Sequence, residues 1–120
     1  MNAIACYEEQ SITTQNPGCL VVLLYEGAIR YLRQAIASYE AGDYRRKNQY
    51  IARTQDILLE LNSVLNMEAG GQIAQNLRAL YTFLWQHLNR SNANNSPQGI
   101  RQAIAILEEV LGGWKAIAAA

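Results

Sequence analysis

The side chains that could do chemistry in this chain are few. Its one histidine, His87, has Leu84 three residues before it, where a di-metal carboxylate bundle would carry the glutamate of a Glu-x-x-His pair. A lone imidazole without carboxylates at helical spacing makes no metal site, so His87 reads as a histidine on a helix flank or surface. Cys6 and Cys19 could each be paired with His87 as a nucleophile, but nothing around either thiol matches a nucleophile motif. Gly70-Gly71 has no strand before it and no Gly-Lys-Ser or Gly-x-Gly-x-x-Gly pattern around it, so it reads as a turn and not a phosphate cradle. No catalytic residue, metal ligand or cofactor is expected. Arg45, Arg46 and Lys47 crowd the start of a helix, where the dipole disfavours cations. A docking patch for an acidic partner is one explanation, and a solvated charged face is the commoner one.

The elements that position these residues are helical. Half of the 120 residues are hydrophobic, 17% are charged, and two are proline. This balance suits one globular domain, residues 1–120, built from long regular elements. Ten basic residues offset ten acidic ones, so no net field would hold the chain on a nucleic acid or an anionic membrane. The longest apolar run, Cys19 to Tyr25, is far too short to span a bilayer. No Lys or Arg precedes Arg30, so the charged start of a secretory signal is missing and a cytoplasmic location is expected. There, Cys6 and Cys19 would be reduced thiols and not a disulfide.

Periodicity and punctuation divide the chain into an arm (1–15) and four helices (17–117). Asn16-Pro17 opens the first helix, which runs to about Ala41, where Gly42 supplies a left-handed cap and Asp43 opens the second. The second runs from Tyr44 to about Met67, before Gly70-Gly71. The third carries Ile73, Leu77, Leu80, Tyr81, Leu84 and Leu88 on one face. Ser96-Pro97 opens the fourth, with Ile100, Ala103, Ile104, Leu107, Leu111 and Trp114 as its stripe. Short links between helices of this length predict an all-α, antiparallel up-down four-helix bundle.

The first helix has more apolar surface than a core needs. Val21, Tyr25, Ala28, Leu32, Ile36 and Tyr39 form a central stripe, with Leu20, Leu24 and Tyr31 on one flank and Val22 and Ile29 on the other. A flank buried by a second neighbouring helix is ordinary, and a flank left open is a partner groove suited to an amphipathic segment. Phe83 projects away from the third helix's stripe, either as a scattered surface aromatic or as a binding anchor. Tyr7 and Ile12 in the arm need an apolar seat on the bundle. The second helix turns Asn48, Thr54, Gln55 and Asn62 toward the core beside Ile51, Leu58 and Leu65. These polar groups are satisfied either by a neighbouring helix or by a partner's backbone, and Asn62 is the first to test.

Taken together, Tyr7, Ile12 and Thr14, then Pro17 and Leu20, then LYEGAIRYL (24–32) and ELNSVLNMEAGGQIAQNLRALYTFL (60–84) resemble the FliS family of flagellin-specific export chaperones. Gly18 and Cys19 depart from the acidic residue and leucine usual there. The resemblance implies a helical bundle that binds the disordered C-terminal segment of flagellin, prevents its polymerisation in the cytoplasm and presents it to the flagellar type III export gate. It implies no cofactor or nucleotide, and an N-terminal lid carrying Tyr7 and Ile12 over the groove. The family's Tyr-acidic-Gly element falls on Tyr25, Glu26 and Gly27, and its Leu-Asn element on Leu61 and Asn62. The expected flagellin groove thus comprises Leu20, Leu24, Tyr25, Gly27, Tyr31, Asn62 and Phe83. The rival reading is a bundle that homodimerises through the same spare face when no cargo is bound.

Overall fold

The computed structural model describes residues 17–119, so the expectations placed on the arm, Tyr7 and Ile12 included, lie outside the described residues. Four helices follow in order: α1 (Pro17–Glu40), α2 (Tyr44–Ser63), α3 (Met67–Ala93) and α4 (Pro97–Ala119). Each packs on two others, α1 on α2 and α4, and α3 on α2 and α4, which closes an antiparallel ring about one core. The fully buried side chains come from all four: Tyr25 and Leu32, Ile51, Leu58 and Leu61, Leu84 and Leu88, and Ile100 and Leu107. Each large aliphatic side chain of this set stabilises the fold by about 1.5–3 kcal/mol through burial.

Local chemistry sets two of the three turns as the sequence suggests. Gly42, at φ +76°, lets the Asp43 amide donate back to the Ser38 carbonyl at 2.8 Å, which closes the end of α1. Asp43 Oδ1 then accepts from the Arg46 amide at 3.0 Å and caps α2. Between α3 and α4, Asn95 takes the left-handed conformation, the Ser96 amide bonds the Ser91 carbonyl, and Ser96 Oγ accepts from the Gly99 amide at 3.1 Å. Pro97 follows as the first residue of α4, where its missing N–H is not needed.

The α2–α3 turn differs from expectation. α2 ends at Ser63, because Asn66 is itself a helix cap: its Oδ1 accepts from the Ala69 amide at 3.0 Å and starts α3 at Met67, ahead of the glycine pair. One turn later Gly71, at φ 54° and ψ −131°, bends the backbone into the long part of α3. Gly70 is held against that part, since a Cβ there would come within 2.7 Å of the Ala74 Cβ.

Ile73 also departs from its expected place and is 70% exposed. Counting back from Leu88 in alternating steps of four and three reaches Leu84, Tyr81, Leu77 and then Ala74, which is the buried residue. Ile73 lies about 100° away on the flank. Asn48, expected toward the core, is exposed. Lys47 reverses the solvated face expected for it: it is 2% exposed, its ammonium donates to Asn95 Oδ1, and its Nζ lies 5.4 Å from the centroid of the Tyr44 ring. Burial pushes the Lys47 ammonium below its ordinary range.

Candidate functional site

The residues with chemical potential are engaged in structure. His87 Nε2 lies 2.9 Å from the Gly99 carbonyl, an acceptor only, so this nitrogen carries the proton and donates it. The imidazole also stacks on Phe83 at 5.5 Å. It thereby joins α3 to the first turn of α4, at a contact so close that a Cβ on Gly99 would lie 2.1 Å from Ser91 Oγ. Cys19 is buried and disulfide-bonded, which corrects the expectation of a reduced thiol; Cys6, the chain's other cysteine, is outside the described residues. A compartment argument weighs redox poise and is blind to proximity, which is what a disulfide requires. Among the described residues no three of His, Cys, Asp and Glu gather as metal ligands would.

The polar residues of α2 divide between internal bonding and an open groove. Thr54 Oγ1 donates to the Tyr50 carbonyl on its own helix, and Gln55 Nε2 donates across to the Trp85 carbonyl of α3 at 3.2 Å. Asn62 is half-buried, and its Oδ1 accepts from Arg78 Nε at 3.4 Å. It lines a shallow α2/α3 groove of about 170 Å³ with Leu58, Leu59, Tyr81 and Trp85.

The other expected site residues lie on different sides of the bundle. Leu20, Leu24 and Tyr31 are half-buried on the α1 flank that faces α2. Tyr31 stacks on Tyr50 at 6.0 Å with the Arg53 guanidinium over both rings. Gly27 is in the same row, where its missing side chain lets Ile57 approach: an added Cβ would meet Ile57 Cδ1 at 3.5 Å. Tyr25 is 0% exposed, inside the core. Phe83 is 46% exposed on the outer face of α3. The opposite flank of α1, Val22 and Ile29, is buried.

Sequence reasoning missed a depression at the end of the bundle where α1 begins. It measures about 210 Å³ and is walled by Val21, Leu61, Val64, Ile73, Leu77 and Trp114, with Val64 and Ile73 exposed at its rim. Beneath it the Tyr25 and Tyr81 hydroxyls share a 2.7 Å hydrogen bond across the bundle, and Trp114 meets the Tyr25 ring edge-on at 6.5 Å. Burial raises both phenols above their ordinary range, and for Tyr81 the shared bond adds to the rise, so the pair stays neutral. The signal available beforehand was Ala74 at the end of the α3 stripe, a small residue that leaves room between large ones.

A groove of about 670 Å³ runs between α1 and α4 over Ile29, Ala37, Leu111 and Gly112. Two ion pairs cross it, Arg33–Glu108 at 2.6 Å with both side chains exposed and Lys115–Glu26 at 3.3 Å with Glu26 half-buried; the exposed pair contributes little to stability in water. No helix among the described residues is long and apolar enough to cross a membrane. These shallow depressions, separated by helix ridges, offer contact to a polypeptide.

The sequence profile described as "Flagellar protein FliS" matches residues 1–120 of the chain. The chain is 33% identical to the flagellar secretion chaperone FliS of Vibrio cholerae over 119 residues, covering 96% of this chain and 88% of that protein. It is 32% identical to the flagellar secretion chaperone FliSB of Pseudomonas aeruginosa, covering 98% and 96%. It is 27% identical to the Bacillus subtilis flagellar secretion chaperone FliS, covering 95% and 84%.

Proposed function

Because the chain belongs to the flagellar protein FliS family, whose relatives above are flagellar secretion chaperones, we propose that its cargo is the disordered C-terminal segment of flagellin. It holds that segment in the cytoplasm in a form that cannot polymerise, and hands it to the flagellar type III export gate. The work is binding, with no catalytic step and no cofactor.

The observation that carries this reading is the distribution of apolar surface. Leu20, Leu24 and Tyr31 are half-open on one side, Leu59 and Asn62 lie in the next groove, Val64 and Ile73 rim the bundle end, and Phe83 stands on the outer face of α3. A folded partner would need one continuous face. A disordered segment can wrap, touching each depression in turn and becoming helical where it lies on a groove. Ordering it costs about 2–5 kcal/mol of the gross interaction, so several anchors have to act together. Tyr25 and Gly27 serve from behind, by setting how closely α1 approaches its neighbours. The arm, through Tyr7 and Ile12, is a lid over part of this surface, and removing residues 1–15 speeds cargo association.

Titration calorimetry with a flagellin C-terminal peptide, joined to mass measurement with and without it, tests the proposal. Saturable one-to-one binding with a gain in helicity is expected. A stable homodimer whose mass the peptide leaves unchanged would favour self-association through the same face.

A further inference from the structure

The end of the bundle away from the Tyr25–Tyr81–Trp114 cluster is a charged pole. Four helix ends meet there, tied by the Lys47–Asn95 hydrogen bond and by the Arg101–Glu40 ion pair at 3.3 Å. Arg45, Arg46, Lys47, Arg90 and Arg101 stand on these terminal turns against Glu40 and Asp43. Glu40 is taken by Arg101, and Asp43 caps α2. A chain with no net charge therefore gathers positive charge at one end.

Folding does not account for Arg45 and Arg46. Both are exposed, neither guanidinium has an ion-pair partner among the described residues, and both occupy the first turn of α2, where the helix dipole opposes a cation. Beside them Tyr44 is 50% exposed yet held in place, by Tyr39 at 5.7 Å on one side and the buried Lys47 ammonium on the other. Arginine with an immobilised tyrosine is the composition of a binding hot spot, whereas a merely solvated face draws on lysine and glutamate.

We propose that this pole docks an acidic segment of a partner polypeptide, with carboxylates forking onto Arg45 and Arg46 and an apolar side chain lying on Tyr44. A polypeptide fits better than a nucleic acid or an anionic bilayer. Binding to those polyanions grows with the number of phosphates neutralised, and the pole offers few unpaired cations on a neutral molecule. The proposal is independent of the cargo reading, because its residues are at the far end of the bundle from Val64 and Ile73.

The test titrates the full-length protein with a short synthetic oligoglutamate peptide carrying one phenylalanine, at low and at high salt. Arg45→Glu/Arg46→Glu and Arg45→Gln/Arg46→Gln are compared with the parent and with Arg30→Glu, a charge reversal on the α1 side of the bundle. Both pole variants are expected to lose about tenfold or more in affinity, which is about 1.4 kcal/mol. Their Tm should be unchanged or raised, because the dipole penalty is relieved. Arg30→Glu should bind as the parent does, and added salt should weaken the parent's binding. Equal binding by the glutamine variant, no saturable binding by the parent, or tighter parental binding to a single-stranded oligonucleotide or phosphatidylserine vesicles would each overturn the proposal.

Discussion

Replacing Leu24 with aspartate separates a cargo anchor from a packing residue. Leu24 is half-buried and packs against the core from the flank that faces α2. Full burial of a leucine is worth about 1.5–3 kcal/mol, so the aspartate forfeits half of that, roughly 0.8–1.5 kcal/mol, and its carboxylate can still turn toward water. For a domain near 100 residues each kcal/mol lowers Tm by about 4–8 °C, so the variant should melt several degrees early but remain folded at room temperature. If Leu24 is also an anchor for the flagellin segment, binding falls by a further 2 kcal/mol or more, roughly thirtyfold in Kd. Circular dichroism melts and calorimetry with a flagellin C-terminal peptide, both on the same sample, measure the two effects. Native helicity with parental affinity would refute Leu24 as a contact. Loss of helicity at room temperature would refute the half-buried accounting and place Leu24 in the core.

Other outcomes follow from the interior. Tyr81→Phe leaves the buried Tyr25 hydroxyl without its partner and should cost about 1–3 kcal/mol in urea unfolding, while adding Tyr25→Phe should restore part of the loss, a coupling that a double-mutant cycle reads directly. Both phenols hold their protons more tightly folded than unfolded, so above about pH 10 the unfolded chain releases protons that the folded chain keeps. Stability from this pair is therefore complete below that pH and falls as pH rises beyond it; thermal melts across that range should show the decline, and the double phenylalanine variant should flatten it. Gly99→Ala forces a methyl group into Ser91 and should cost about 1–3 kcal/mol by thermal melt; Ser91→Ala in the same chain should recover only a small part of it, because it removes the Oγ at 2.1 Å but leaves the Cβ at 2.8 Å.

The sequence determined what depends on near neighbours along the chain. Gly42-Asp43 and Ser96-Pro97 mark two turns because the groups they satisfy are within five residues, and the three-four spacing of Ile100, Ala103, Ile104, Leu107 and Leu111 selects a buried face for the same reason. The family is legible because two contiguous blocks carry it. What one helix presents to another was decided only in three dimensions. Asn66 outcompeted the glycine pair as the start of α3, and Ala74 took the buried position assigned to Ile73 because core packing fixed the rotation of that helix. Lys47 went inside because the α3–α4 turn brought Asn95 to it, a contact 48 residues away in sequence. The candidate site divides the same way. Leu24, Asn62 and Phe83 could be nominated from their helical faces, but whether each is open depends on the distance between helices, and periodicity along one helix contains no information about that distance.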